Sequence, residues 1–319
     1  MQCFKPMPFV LFLLLSLPTP GFAGERDAPN SNPEEVETAA SEDPVSPGRD
    51  RIVHRTLSLI RVNPLGLQAG MEIAFQHRLF DSDSVLFRDS YAGFAVAPML
   101  TPAFARFGVA AQVQPLAVLF LEARWNFIGW FGTANHVQTF ADSDADFSDS
   151  AIAENGEQGG HGATTGWELD LTAELRARVG PVVARSRTML IRSELAPPTR
   201  VSDAHYYDPT LDLLMPTSGW SLTNDADLLL FLMDDRLIAG ARHTMALAFD
   251  DAERTDSPTH RVGPLVAYKF WRDQGGAFDE PTVFVLMQWY AKHRYRTGLD
   301  SHAALPYVAV GFAFKGDLL

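Results

Sequence analysis

The sequence of residues 280–319, EPTVFVLMQWYAKHRYRTGLDSHAALPYVAVGFAFKGDLL, contains the pattern that decides the fold of this chain. One set of alternate residues is apolar: Val283, Val285, Met287, Trp289 and Ala291, followed in the final run by Val308, Val310, Phe312 and Phe314. The opposite parity carries Gln288, Tyr290, Lys292 and Arg294, and in the final run Tyr307, Ala309, Gly311, Ala313 and Lys315. Successive side chains of a β-strand point to opposite faces, so the pattern predicts a hairpin with one apolar and one polar face.

The same alternation recurs upstream from about Val53, without a break in composition. Strands are predicted at 56–62, 65–79, 91–98, 103–114, 116–128, 167–179, 182–194, 220–232, 237–249, 261–270, 283–294 and 307–315. Short turns at 180–181 and 234–235 contrast with the longer connections 129–166, 195–218, 251–258 and 296–304. Short turns at one end and long loops at the other are typical of an outer-membrane barrel. We therefore predict an all-β domain over residues 53–319, a closed antiparallel transmembrane β-barrel of about 12 strands (range roughly 10–14).

Alternation alone also fits a soluble sandwich with its apolar face inside. Three features favour the membrane barrel. Many predicted strands have the length of about 9–11 residues that a membrane requires, whereas soluble strands are usually about 5–6 residues long. Aromatic residues such as Trp167, Trp220 and Trp271 cluster at strand ends, as they do at bilayer boundaries. Charges of both signs lie on adjacent strands of the polar face, which suits a wet or hydrogen-bonded lumen.

The first residues have the features of an export signal. Lys5 precedes the apolar stretch 9–17, and small residues lead to a predicted cleavage after Ala23, so residues 1–23 are predicted to be a signal peptide. The stretch is shorter than a membrane-spanning helix needs. Cys3 is the only cysteine and lies within this leader, which excludes a disulfide-stapled secreted domain.

Residues 24–52 are rich in Glu, Asp, Pro, Ser and Asn, and we predict a disordered acidic periplasmic arm. The net charge of the whole chain is −13, which argues against a nucleic-acid partner. Hydrophobic residues make up 46% of the chain, an average that does not distinguish a soluble protein from a membrane barrel.

Three phrases carry a resemblance: NPLGL at 63–67, VQPLAVL at 113–119 and the closing YVAVGFAFK at 307–315. They are similar to segments of uncharacterised proteobacterial barrels, and the chain from about Val53 resembles the outer-membrane β-barrel proteins of Gram-negative bacteria. The resemblance implies export to the cell outer membrane, with outer-membrane lipid and the barrel-assembly machinery as partners. Such barrels usually end on an aromatic residue, whereas this chain continues past Phe314 to Leu319.

The polar parity of the predicted strands defines a set of charged residues that would face the lumen. It comprises Arg106, Glu122, Arg124, Glu168, Asp170, Glu174, Arg176, Arg178, Arg185, Arg187, Asp225, Asp227, Arg242, Arg261, Lys269, Lys292 and Arg294. If these charges form opposed walls around water, they would set the selectivity of a pore. If they pair across the lumen, they would close it and leave a scaffold for the loops.

The apolar parity predicts a lipid-facing set, namely Leu169, Leu171, Leu175, Val266, Tyr268, Val308, Val310, Phe312 and Phe314. Together, the two sets favour a narrow channel for small polar solutes or a structural, surface-presenting scaffold. They suggest no cofactor and no enzyme activity.

Two alternatives involve specific chemistry. Asp142, Asp144 and Asp146 have the spacing of calcium ligands, but the loop lacks the Gly and Glu that an EF-hand requires, so the metal site is a weak candidate. A barrel-embedded hydrolase acting on lipid or peptide would need a base near its partner at the extracellular rim. Asp250, Asp251 and His260 flank one predicted outer loop and could meet there.

Overall fold

A computed structural model describes residues 50–82, 84–198, 203–249, 258–272 and 274–318. In chain order its elements are β1 (Asp50–Val62), β2 (Gly66–Arg78), β3 (Tyr91–Leu100), β4 (Phe104–Leu116), β5 (Leu119–Phe131), β6 (Thr139–Phe140), α1 (Asp149–Glu157), β7 (Ala163–Val179), β8 (Val182–Leu195), β9 (His205–Asp208), β10 (Leu213–Pro216), β11 (Ser218–Leu232), β12 (Leu237–Phe249), β13 (Thr259–Lys269), β14 (Asp279–Lys292) and β15 (Tyr307–Asp317). The predicted signal peptide and almost all of the predicted arm lie outside the described residues and stay predictions.

Twelve of these strands form a closed antiparallel barrel. Their order around the barrel is β1-β15-β14-β13-β12-β11-β8-β7-β5-β4-β3-β2. The first and last strands close it in continuous register from Val53 opposite Asp317 to Val62 opposite Val308. This confirms the predicted fold class and strand number. The remaining strands form a small sheet in the order β10-β9-β6.

The two ends of the barrel differ. Residues 132–162, 196–198, 203–217 and 293–306 lie at one end, which we call the cap end, together with the end of β12 and the start of β13. The start of β1 and the end of β15 lie at the other, which we call the base, together with the short turns 180–181 and 233–236. The connection 79–90 also belongs to the base, although it is longer than the other turns there.

The outer face of the barrel is apolar and the inner face is largely polar. Phe94, Leu228 and Leu175 are 71%, 61% and 59% exposed, whereas Arg242 and Glu174 are fully buried. A soluble sandwich would show the opposite arrangement, with apolar side chains inside. The apolar outer wall and polar interior are those of a transmembrane barrel. Among the described residues, no helix has the length and hydropathy needed to cross a membrane.

The members of the predicted lipid-facing set all lie on the outer face. Leu171, Val266, Val310 and Phe312 are exposed, and Leu175 is the most exposed of the set. Leu169, Tyr268, Val308 and Phe314 are partly exposed. Tyr268 also accepts a hydrogen bond from Arg236 at 2.8 Å, so its hydroxyl is held near the base.

Part of the lumen is filled by apolar side chains from β1, β8 and β11–β15. The buried cluster comprises Leu57, Leu59, Val183, Leu229, Phe231, Ile238, Leu265, Ala267, Phe284, Leu286, Tyr290, Tyr307, Ala309 and Ala313. The ring of Phe284 lies against Gly311, where an added Cβ would come within 2.2 Å of the ring. We call this cluster the apolar filling.

Two features differ from the predictions by more than a few residues at a strand end. β1 begins at Asp50, so residues 50–52 belong to the barrel and not to the predicted arm. The long insert contains α1, where the sequence indicated no convincing helix. Ser148 caps this helix by accepting a hydrogen bond from the Ala151 N–H at 3.2 Å, and Asp149 lies in its first turn. Such a short helix depends on its cap and on packing more than on its apolar pattern.

Candidate functional site

The charged residues predicted to face the lumen lie on the inner face of the barrel wall, except for Lys292 and Arg294. The fifteen are Arg106, Glu122, Arg124, Glu168, Asp170, Glu174, Arg176, Arg178, Arg185, Arg187, Asp225, Asp227, Arg242, Arg261 and Lys269. They arise from the polar parity of their strands, which the barrel turns inward. Most of them form ion pairs with neighbours on the same wall.

Asp227 on β11 is the centre of one such group. It accepts hydrogen bonds from Arg185 at 2.8 Å and from the Nε of Arg242 at 2.6 Å. Register explains the contact, because Asp227 is directly opposite Arg185 on β8 and Arg242 on β12. All three side chains are fully buried, so each charge needs its partner.

A second group joins β2, β4 and β5. Arg124 donates to both Glu72 and Glu122, and Glu72 also accepts from Arg55 at 2.9 Å. Gln112 donates at 2.7 Å to the Oε2 of Glu122, the same oxygen that accepts from Arg124. Arg55 and Glu72 do not belong to the predicted lumen set, although both lie on the inward parity of their strands. The charges in these groups pair along the barrel wall, between adjacent or nearby strands, and not across the lumen.

Lys292 and Arg294 are corrections to the predicted lumen set. The register on β13 and β14 passes from Arg261–Tyr290 to His260–Lys292, which leaves Ala291 without a partner. This bulge reverses the parity, so Lys292 shares the outer side with His260 and is exposed. Arg294 lies beyond β14 and donates to the carbonyl of Asp144 at 2.9 Å.

The hairpin formed by β9 and β10 enters the lumen at the cap end, and we call it the inserted hairpin. Leu213 and Leu214 are fully buried and Met215 is 1% exposed. Its side chains pack against inward-facing residues of four strands, including Phe104, Ile128, Ile191 and Ala246. Across the lumen, Arg61 on β1 donates to the carbonyl of Pro209 at 2.7 Å. The inserted hairpin therefore closes the lumen at the cap end.

Asp212, between β9 and β10, fixes this hairpin. Its carboxylate accepts hydrogen bonds from Tyr207 at 2.7 Å, Tyr290 at 3.0 Å and Arg296 at 2.9 Å. Arg296 in turn donates to Asp149 of α1 at 2.8 Å, and His293 contacts the Asp212 carbonyl at 2.8 Å. Burial alone would raise the pKa of Asp212, but Arg296 and His293 hold it well below its usual range. We call these residues the Asp212 network.

An outer layer covers the inserted hairpin. Phe147, Tyr207, Leu214 and Tyr295 form a buried cluster from three connections, with Phe140, Ala145 and Ile152 packed beside it. His136 stacks on Tyr207 with ring centroids 6.3 Å apart. Burial, with a smaller effect of His161 and Arg61, lowers the pKa of His136 to about 4. Its imidazole is therefore neutral at pH 7.

A cavity of about 140 Å³ lies in the lumen beneath the inserted hairpin. Met215, Leu211 and Asp208 of the hairpin region form one side of it. The barrel wall contributes charged residues, among them Arg106, Glu168, Asp170, Arg187 and Arg261. Arg106 and Glu168 pair at 2.8 Å. Asp170 accepts from Asn126 at 2.7 Å through Oδ2, but its buried Oδ1 has no partner among the described residues.

The weak metal candidate occupies a turn before α1. Asp142 accepts from the Asp144 N–H at 3.0 Å and Asp146 from the Ser148 N–H at 2.9 Å. Backbone N–H groups thus use these oxygens in turns that lead to the helix. Within the described residues there is no group of three or more His, Cys, Asp and Glu side chains arranged to hold a metal.

Of the residues proposed for a hydrolase, His260 is described and Asp250 and Asp251 lie outside the described residues. His260 contacts His243 at 3.1 Å between ring nitrogens, and the two rings stack on the outer face of β12 and β13. His243 and Lys292 are the basic neighbours of His260 on that face. His260 therefore points away from the lumen, and the meeting of all three residues stays a prediction.

No family profile and no curated protein sequence matches the chain. Solved structures with a similar fold include the KdgM porin, with 9% identity, a TM-score of 0.37 and coverage of 82% of this chain and 98% of the porin. CdiB from Acinetobacter baumannii has 9% identity, a TM-score of 0.39 and coverage of 85% and 60%. LpxR from Salmonella typhimurium has 9% identity, a TM-score of 0.36 and coverage of 82% and 99%. At these values the likeness is one of barrel fold alone.

Proposed function

We propose that this protein is a narrow outer-membrane channel for small polar solutes, which the inserted hairpin holds closed in the conformation described above. The charged cavity beneath the hairpin is the observation that supports this function. The apolar filling demonstrates that this barrel can occupy lumen space with Leu and Phe side chains. A purely structural interior gains little from buried charges, because their desolvation commonly exceeds their attraction. Polar groups kept inside a membrane barrel usually serve a solute path.

Location and orientation are part of the proposal. The leader directs export, the barrel assembles in the outer membrane with the help of the barrel-assembly machinery, and the cap end faces outward. The intact mass of the mature chain checks cleavage after Ala23. Protease added to whole cells should cut cap-end connections and leave the base untouched. Cleavage only after the cells are broken would contradict this orientation.

The channel hypothesis predicts that removal of the inserted hairpin opens the lumen. A variant with residues 205–216 replaced by a short Gly-Ser linker should give stepwise conductance in planar bilayers, whereas the natural chain stays closed for most of the time. β8 and β11 are neighbours in the barrel, so a short linker can join them. A correctly folded hairpin-deleted barrel that never conducts would exclude the channel.

A pair of arginine variants provides a milder test with a matched control. Arg296→Gln removes the charge that holds Asp212 and should increase the open fraction. Arg294→Gln changes a neighbouring arginine whose hydrogen bonds go to backbone carbonyls of residues 144 and 145, and it should leave the open fraction unchanged. Equal open fractions in the two variants would contradict the proposal that the Asp212 network holds the channel closed.

A surface-presenting scaffold is the second candidate. The layered packing of Phe147, Tyr207, Leu214 and Tyr295 over the hairpin favours it, since a rigid cap suits display at the surface. The same bilayer experiment distinguishes the two functions: a scaffold stays closed even without the hairpin if the paired charges fill the lumen.

A further inference from the structure

The cavity beneath the inserted hairpin has an uneven distribution of charge. Four arginines and five carboxylates line it: Arg106, Arg124, Arg187 and Arg261, with Glu122, Glu168, Asp170, Asp208 and Asp225. Several neutralise one another locally, such as Arg106 with Glu168 at 2.8 Å and Arg124 with Glu122 at 2.8 Å. Others have partners outside the cavity lining, as Arg187 has in Glu174 at 3.5 Å. The remaining charges determine which ligand the cavity fits.

Two carboxylates have no ion pair among the described residues, although the charge of Arg106 acts on both from a longer distance. Asp170, only 5% exposed, accepts from Asn126 through one oxygen, while its other oxygen is buried without a partner among the described residues. Asp208, 6% exposed, accepts from the backbone N–H groups of Thr210 at 2.6 Å and Leu211 at 3.3 Å. Within the described part of the chain, neither carboxylate is within ion-pair distance of a basic side chain. A buried carboxylate of this kind is costly unless a cation or donor joins it.

Of the four arginines that line the cavity, Arg261 is the one without an ion pair among the described residues. Arg261 lies on β13, four strands from β7 around the barrel. Its guanidinium stacks over the ring of Tyr307 with 4.2 Å to the centroid, and its other neighbours are Tyr290 and, beyond ion-pair distance, the carboxylate of Asp225. The Nε of Arg261 is buried without a partner among the described residues. Its planar fork of donors is suited to a carboxylate.

We infer that this cavity is a binding site for a small zwitterion, a solute with one ammonium and one carboxylate group, on its way through the lumen. The ammonium would lie beside Asp170 and Asp208, and the carboxylate beside Arg261. The inference rests on the proposed channel and names its solute class. A cavity of about 140 Å³ is close in size to one that holds a benzene molecule, so the solute has roughly six heavy atoms.

Calorimetric titration of the refolded full chain in detergent tests this inference with three probes: alanine, and the two ions that correspond to alanine without its ammonium or its carboxylate group, propionate and ethylammonium. Alanine carries both charged groups, and each of the others carries one. Alanine should bind at least about tenfold more tightly than either, since each group adds a charge-assisted hydrogen bond. Equal affinities for alanine and propionate in the natural chain would overturn the inference without recourse to any variant.

Variants assign the two ends of the site. Asp170→Asn combined with Asp208→Asn should reduce the affinity for alanine to that for propionate. Arg261→Gln should reduce it to that for ethylammonium. Asp81→Asn is the control for the first, because Asp81 is 97% exposed at the base, and Arg51→Gln, 49% exposed, is the control for the second. Circular dichroism and heat modifiability on gels establish that each variant has folded.

Binding and conductance are separate measurements, so the two proposals fail in different ways. Conductance of the hairpin-deleted barrel without preferred binding of alanine would overturn the zwitterion site and leave the channel. Preferred binding of alanine without conductance would support the site and overturn the channel. Variants at Asp170, Asp208 and Arg261 that leave alanine binding unchanged would overturn the assignment of the site.

Discussion

Asp227 holds two fully buried arginines, Arg185 and Arg242, against the inner wall. A buried ion pair adds little net stability when it is compared with apolar residues of the same size. Loss of one member is a different matter, because the other charge remains in a place that water reaches poorly. The inner wall is therefore sensitive to single substitutions at such shared carboxylates.

Asp227→Asn should lower the free energy of unfolding by about 3–5 kcal/mol, since it leaves two buried guanidinium groups without their anion. Urea titration of the refolded barrel in detergent measures the change. Arg51→Gln is the matched control, because the Arg51–Asp317 pair is partly exposed, and it should cost less than about 1 kcal/mol. A loss of less than about 1 kcal/mol for Asp227→Asn would contradict the role of this carboxylate.

His136 makes the cap end sensitive to acid. Burial lowers its pKa to about 4, whereas an unfolded histidine titrates near its ordinary value of about 6.5. Between these values the unfolded cap binds a proton that the folded cap does not, so cap stability falls as pH falls from about 6.5 to about 4. The loss is on the order of 3 kcal/mol. Arg296 and His293 hold the folded pKa of Asp212 well below its usual range, so this carboxylate adds its own loss only below about pH 4, where an unfolded aspartate takes up a proton.

Hydrogen exchange of residues 203–217 between pH 7 and pH 4 tests this effect, after correction for the intrinsic pH dependence of exchange. His136→Phe keeps an aromatic ring beside Tyr207. It should remove the part of the pH dependence of cap stability that comes from protonation of this histidine in the unfolded cap. His302→Phe changes an exposed histidine in another connection and should leave the dependence as it is. An unchanged pH profile in His136→Phe would exclude the histidine as the acid-sensitive group.

At the scale of single elements, the barrel strands follow from a local pattern and the insertions do not. The twelve predicted strands match the observed ones to within a few residues, apart from the start of β1. Period-two alternation is a property of each strand, and a closed barrel needs it in every strand. The small strands β6, β9 and β10 are two to four residues long, and α1 has nine residues, which is too short for a periodic signal.

The outward side of β7 yields a depth-dependent prediction. Leu175 lies four residues before Val179, which is the last residue of β7 at the base. Both side chains point outward. Leu175→Arg should destabilise the refolded barrel by about 2–4 kcal/mol if it lies near the bilayer midplane. Val179→Arg, at the edge, should cost about 0–1 kcal/mol.

Urea unfolding in lipid vesicles measures both substitutions at β7. Unfolding of the same two variants in detergent micelles provides a control. The difference in cost between the two sites should be smaller there, because it comes from depth in the hydrocarbon layer of a bilayer. Equal costs in vesicles would contradict the placement of Leu175 deeper in the hydrocarbon layer than Val179.

At the scale of the whole molecule, the lumen is filled in three ways. The apolar filling occupies the side formed by β1 and β11–β15, paired charges cover much of the remaining wall, and the inserted hairpin closes the cap end. The cavity lies where these regions meet. Gating by the hairpin and solute selection by the cavity are consequently proposals about one space.

Local sequence patterns suffice to predict the closed barrel, its approximate strand number and the polar parity that faces inward. These depend on local alternation, strand length and the placement of turns, all of which are present in short segments. The tertiary structure alone decided which charges meet, because pairing depends on register and on which strands are neighbours. It also decided that Lys292 turns outward at a bulge and that the β9–β10 hairpin folds into the lumen. Such contacts join residues far apart in the chain, and no local period encodes them.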